Sequence, residues 1–145
     1  MAINDMVEHL GAVPIFEGCS KKELQTIARQ VREISHDEGY VIATEGDAGA
    51  GLFVIAEGEA DVTIGGKKVN HLEKGDFFGE MAILGGGRRN ATVTVSSQAE
   101  LLVLFGTEFR ALEQQFPDAA RLIRAKVEER LARGKQPVSP GDPLP

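Results

Sequence analysis

From Arg32 to Phe105 the chain is cut by glycines into short apolar runs, and that punctuation limits the folds open to it. Ile34 alternates with polar neighbours, Gly39 marks a turn, and Val41 with Ala43 fits a short strand. The stretch 45–51 reads as a loop. LFVIAEGEADVTI then reads as two strands with Glu57-Gly58 as the turn between them. Gly65-Gly66 turns the chain into KKVNHL, Phe78-Gly79 looks like a strand end, and ATVTVSS and ELLVLF close the series. Strands this short and this evenly punctuated suit an all-β sandwich or barrel rather than a helical bundle.

Both ends change period. Residues 3–10 place Ile3, Met6, Val7 and Leu10 on one helical face, and Gly11 can end that helix. Pro14, Ile15 and Phe16 form an apolar knot. Ser20 followed by Glu23 predicts a capping box, opening a helix with Leu24, Ile27, Ala28 and Val31 on one side. Beyond the strands, Thr107 can cap a segment carrying Phe109, Leu112 and Phe116. Pro117 suits the first turn of a helix that carries Ala120, Ile123, Val127 and Leu131 on one face. On its solvent side Arg124 and Glu128 are spaced as an i,i+4 pair, as are Glu129 and Arg133. The expected class is α+β: an eight-stranded antiparallel β jelly-roll barrel flanked by N-terminal helices and two C-terminal helices.

The 145 residues suit one domain. Helices are expected over about 3–31 and 107–133, with the barrel over about 32–105. The tail 135–145 is proline-rich and expected to be disordered. A formal net charge of -6 argues against nucleic acid as a partner. It leaves room for a local anion site, because net charge is screened within about 10 Å. The single cysteine, Cys19, forms no internal disulfide and fits a reducing compartment. No apolar run approaches the roughly 20 residues of a membrane span, and the N-terminus lacks the order of a secretion signal. The expectation is a cytoplasmic protein.

The stretch 77–95, FFGEMAILGGGRRNATVTV, fits no regular element and carries the chemistry. One turn of helix after Gly79 would present free N–H groups with a partial positive charge behind them. Gly79 lets a ligand approach the backbone closely. An arginine returning across the Gly85–Gly87 turn can fork onto two phosphate oxygens. Glu80 would repel phosphate but can accept a hydrogen bond from a sugar hydroxyl. Phosphate plus sugar hydroxyl points to a nucleotide. One arginine with backbone amides suits a singly charged phosphodiester better than a triphosphate, which usually wants a metal and a lysine.

Phe78-Gly79-Glu80-Met81-Ala82-Ile83-Leu84, followed by Arg89-Asn90-Ala91-Thr92-Val93, resembles the phosphate-binding cassette of the cyclic nucleotide-binding domain family. That family includes the protein kinase A regulatory subunit and the catabolite activator protein. The resemblance extends over residues 6–133, through Glu45-Gly46-Asp47, Leu52-Phe53-Val54-Ile55 and Gly58, to C-terminal hinge and lid helices. It implies cAMP or cGMP as ligand. Arg89 would pair with the exocyclic phosphate oxygens, and Glu80 would hold the ribose 2′-hydroxyl beside the Gly79 backbone. Ala82 and Asn90 would offer N–H groups, with Ala91 small against the phosphate and Arg88 turned to solvent. Phe78 opens the cassette. Val54, Leu72, Met81 and Val93 would wall the sugar and base. The residue after the arginine is often threonine in cGMP-selective members. Here it is Asn90, with both donor and acceptor groups, and cAMP is favoured.

The resemblance also implies that binding is transmitted by the C-terminal helices. Ile123, Val127 and Leu131 are candidates for a lid face or a homodimer seam. The effector, whether a separate protein or a further domain, is not identified, and no helix-turn-helix, kinase or channel region follows the lid helix in this sequence. No nucleophile motif marks a catalytic residue. His9, His36 and His71 are dispersed, so neither a metal nor a cofactor is expected. Two other readings stay open: a cupin-like metalloenzyme on a similar barrel, and a family member that no longer binds nucleotide and serves as a protein–protein module.

Overall fold

The computed structural model describes residues 3–47, 51–79 and 91–132. The chain opens with helix α1 (Ile3–Gly11), a 3-10 turn (Pro14–Phe16) and helix α2 (Lys21–Gln30). The capping box forms as read: Glu23 N–H donates to Ser20 Oγ at 3.1 Å, and Ser20 N–H donates to Glu23 Oε1 at 2.7 Å. Six strands follow among the described residues: β1 (Arg32–His36), β2 (Val41–Ala43), β3 (Gly51–Ile64), β4 (Lys67–Leu72), β5 (Phe77–Phe78) and β6 (Thr92–Phe105). Helices α3 (Gly106–Gln115) and α4 (Pro117–Ala132) complete the order.

The strands form one antiparallel sheet, and it is not a closed barrel. The expected eight strands become six because two pairs are continuous. Glu57-Gly58 is not a hairpin turn. β3 runs through it and stays paired with β6 from Gly51↔Phe105 to Thr63↔Thr92, with register shifts between Ile55 and Ala60. Gly58 sits at φ +92°, and a Cβ there would lie 2.6 Å from Ala99 Cα. The glycine therefore permits a bulge where the two long strands press together, and a bulge bends a strand without ending it. The bulge also changes which side chains face in: Phe53 and Ile55 before it, Ala60 and Val62 after it, turn toward the same cluster.

The bend divides the sheet into two arms. Beside the outer halves of β3 and β6 lie β1 and β5; beside the other halves lie β4 and β2. One face of the first arm carries the larger core. There Leu52, Val54, Phe77, Leu102 and Leu104 meet Leu10, Phe16 and Ile27 from the N-terminal helices, and Phe109, Ile123 and Val127 from the C-terminal ones. The second cluster (Ala43, Ile55, Ala60, Val62, Leu72, Phe78, Ala91, Val93, Val95, Ala99 and Leu101) comes from the strands and the residue leading into β6. Among the described residues no helix contributes to this cluster.

Two helix-end expectations change. Helix α3 begins at Gly106, and Glu108 accepts the Phe105 N–H at 3.3 Å, so Thr107 is inside the first turn and is not its cap. Arg124 does not serve a solvent-side pair with Glu128. Its guanidinium donates to Glu113 Oε2 at 3.0 and 3.2 Å and lies over the Phe109 ring, 5.2 Å from the centroid, which ties α4 back to α3. Ile123 and Val127 are fully buried within the chain's own core rather than presented as a seam; the side chain of Leu131 lies outside the described residues.

Candidate nucleotide site

Three of the eight site residues read from the sequence are described: Phe78, Gly79 and Ala91. Glu80, Met81, Ala82, Arg89 and Asn90 lie outside the described residues, with Arg88 and the Gly85–Gly87 turn. The structure therefore shows the two mounts of the segment.

The first mount is β5. Alternation along a strand sends Phe77 into the helical core and Phe78 into the inner cluster, both fully buried. Phe78 stacks flat on Phe53, its partner across the ladder, with centroids 4.9 Å apart. Gly79 follows at φ +82°, and an added Cβ would collide with the Gly51 carbonyl oxygen and sit 3.6 Å from Phe53 Cδ1. Both the dihedral and the space exclude other residues. The backbone is thereby turned out of the ladder where Glu80 follows in the sequence.

The second mount is the start of β6. Ala91 is fully buried in the inner cluster, and Thr92 behind it pairs with Thr63. The Thr92 hydroxyl accepts the Glu45 N–H at 3.1 Å, and Glu45 Oε1 accepts the Gly65 N–H at 2.9 Å. Glu45 thus joins the β2–β3 loop, the β3–β4 hairpin and the β6 start. Sequence reading placed Glu45 in a loop without this role, because neither partner is near it along the chain. The mounts lie near opposite ends of β3, Gly79 beside Gly51 and Thr92 opposite Thr63.

Of the expected apolar walls, Leu72 and Val93 lie in the inner cluster with Phe78 and Ala91. Val54 does not: strand alternation turns it into the helical core. There it lines a cavity of about 250 Å³ with His9, Val13, Ala56, Lys74 and Leu102. That cavity is lined by residues of the helical core and of the N-terminal helical segment, with Ile55 of the inner cluster also at its wall.

The histidines have separate surroundings. His9 lines the cavity, and His36 stacks on Tyr40 at 3.6 Å. His71 sits between carboxylates, Nδ1 2.6 Å from Asp61 Oδ1 and Nε2 2.5 Å from Glu59 Oε1. Those hydrogen bonds, Asp61 foremost, raise the His71 pKa, and the same bond lowers that of Asp61. Lys74 hydrogen-bonds Glu57 at 2.9 Å and lowers its pKa. Among the described residues, no helix is long and apolar enough to cross a membrane.

A bent antiparallel sheet with helices packed on it from both termini defines an α+β domain, with Gly79 and Ala91 buried on either side of the stretch 80–90. The family model described as "Cyclic nucleotide-binding domain" matches residues 33–116, and the chain belongs to that family. A cyclic nucleotide-gated potassium channel of Rhizobium etli is 36% identical over 128 residues, covering 88% of this chain and 35% of the channel. A cAMP-dependent protein kinase regulatory subunit of Eremothecium gossypii is 32% identical over 116 residues, covering 79% of this chain and 25% of that protein. The chain thus spans about a third or less of these curated relatives. Among solved structures, the N-terminal domain of a transcriptional regulator from Streptomyces coelicolor superposes with a TM-score of 0.78 at 21% identity, covering 87% of this chain and 94% of that one. The regulatory domain of Toxoplasma gondii PKA, crystallised with cAMP, gives 0.75 at 23%, covering 88% and 50%. At these identities the superpositions establish the fold.

Proposed function

We propose that this domain binds a cyclic nucleotide, cAMP in preference to cGMP, in the segment between Phe78 and Ala91. The observation that carries the reading is the pair of buried mounts, Gly79 and Ala91, at the ends of a Glu80-to-Arg89 sequence inside the family match. Arg89 forks onto the cyclic phosphate, Glu80 accepts the ribose hydroxyl, and Met81 lies against the ligand. The backbone N–H groups of Ala82 and Asn90 complete the anion site. Asn90, with both donor and acceptor groups, does not decide the base, and the ratio of the two affinities does. The single thiol, Cys19, suits a reducing, cytoplasmic setting.

Binding is reported through α3 and α4. β6 leads directly into α3, and α3 is tied to α4 by Arg124 and Glu113, so a shift at the cassette has a covalent and packed route outward. A ligand drives such a shift only by its differential affinity for two arrangements, typically about 1–3 kcal/mol. The receiver is an effector protein or a further domain.

Calorimetric titration with cAMP and cGMP, beside an Arg89→Ala variant, tests the site. Leaving a buried phosphate without its charged partner costs about 2–5 kcal/mol, so the variant should bind at least tenfold more weakly. If neither nucleotide binds at millimolar concentration, the sensor reading fails and the domain is a protein–protein module. Hydrogen exchange across residues 107–133 with saturating ligand tests transmission; unchanged exchange there would refute it.

A further inference from the structure

On the β3–β4 hairpin, outside the stretch 78–91, three acceptors converge. The ligating atoms of Glu59, His71 and Glu73 lie within 4.8 Å of one another. Their placement follows from register. Asp61 pairs with His71 and Ala60 with Leu72, so Glu59 and Glu73 follow directly beyond the last pair of the ladder. Ala60, Val62 and Leu72 turn inward, which leaves Glu59, Asp61 and His71 on the outer surface. Two carboxylates this close repel each other. The hairpin's lysines do not relieve this pair: Lys68 is bound to Asp61 at 3.1 Å, and Lys74 to Glu57 at 2.9 Å.

The imidazole settles what the site can hold. Asp61 lies 2.6 Å from Nδ1, and a carboxylate there fixes the proton on that nitrogen. Nε2 faces Glu59 Oε1 across a 2.5 Å hydrogen bond, and a metal ion would bind there by displacing the proton between them. Its ligands would be one imidazole, two carboxylates and water. Asp61, held by Lys68, is positioned as the partner that orients a metal-bound histidine. Carboxylate alone would suit calcium or magnesium; the imidazole shifts the preference to zinc and its neighbours.

We propose that Glu59, His71 and Glu73 form a surface site for a divalent transition-metal ion of the zinc type, with Asp61 orienting His71.

The test titrates chelator-treated, dialysed protein with zinc chloride by calorimetry, with a chromophoric chelator as competitor. One zinc per chain is expected. His71→Ala and Glu73→Gln should abolish or strongly weaken it, and Asp61→Asn should weaken it about 10–100-fold, the usual effect of losing such an orienting partner. Magnesium at the same concentration should give no heat. Thermal melts in chelator establish that each variant folds. His71→Ala loss together with intact Glu73→Gln binding would overturn the three-ligand site, as would wild-type affinity in His71→Ala or the absence of stoichiometric zinc in the wild type.

Discussion

At the residue scale, the described part of the nucleotide site rests on the absence of a side chain. Gly79 combines a left-handed φ of +82° with a carbonyl in the space a Cβ would take. Gly79→Ala is expected to lower stability by about 2–3 kcal/mol from backbone strain and contact together. It should also weaken cyclic nucleotide binding, because the turn that delivers Glu80 must shift; urea melts and calorimetry on one preparation separate the two effects. Cys19 offers a second check. Burial, with the Glu23 charge adding to it, raises its thiol pKa to about 11 from an ordinary 9.0. The folded state disfavours the thiolate, so alkylation by iodoacetamide at pH 8 should be slow and should accelerate on unfolding. By linkage, a pKa raised by folding leaves stability intact below pH 9 and erodes it as pH rises toward 11. Melts from pH 8 to pH 11 should show that decline, and Cys19→Ala should remove its thiol-dependent part.

At the element scale, the long strands explain what the sequence disclosed and what it hid. The Ser20–Glu23 box, the Gly11 stop, the turn at Gly39 and the Pro117 start depend on residues close along the chain, and all were legible. Gly58 was legible as a special backbone position but not as a bulge. A glycine at positive φ serves a turn or a bulge equally, and only the pairing of both flanks with β6 decides between them. Arg124 and Glu45 were misread or passed over for the same reason: their partners Glu113, Gly65 and Thr92 are distant in sequence. Val54 was misassigned because a wall residue was chosen by resemblance, whereas strand parity sends it to the helix side. Gly58→Ala should therefore act on both long strands at once. With Gln98 and Ala99 backbone atoms in the way, a loss of about 2–3 kcal/mol is expected, read by denaturant melts. Because the bulge sets which side chains face the inner cluster, accelerated hydrogen exchange should appear in β4 as well as in β3.

At the scale of the whole molecule, helices from both ends of the chain and one face of the sheet share a single core, while the inner cluster, among the described residues, is built from the strands and Ala91. Phe78 and Ala91, which flank the proposed nucleotide segment in sequence, belong to the inner cluster. The helices proposed to carry the signal belong to the other core, and strands β3, β5 and β6 contribute to both. A ligand that binds the folded arrangement and not the unfolded chain adds stability to the whole, by about 2.7 kcal/mol at a hundred times its dissociation constant. For a domain of this size each kilocalorie moves the midpoint roughly 2–4 °C. Saturating cAMP should then raise the melting temperature by about 5–10 °C in a single transition seen alike by far-UV signal and by calorimetry, and Arg89→Ala should show a clearly smaller shift at that concentration. Two transitions, with only one moved by cAMP, would mean that the two cores melt separately. The strands they share would then be insufficient to carry binding energy to α3 and α4, and the proposed transmission would fail even where nucleotide binds.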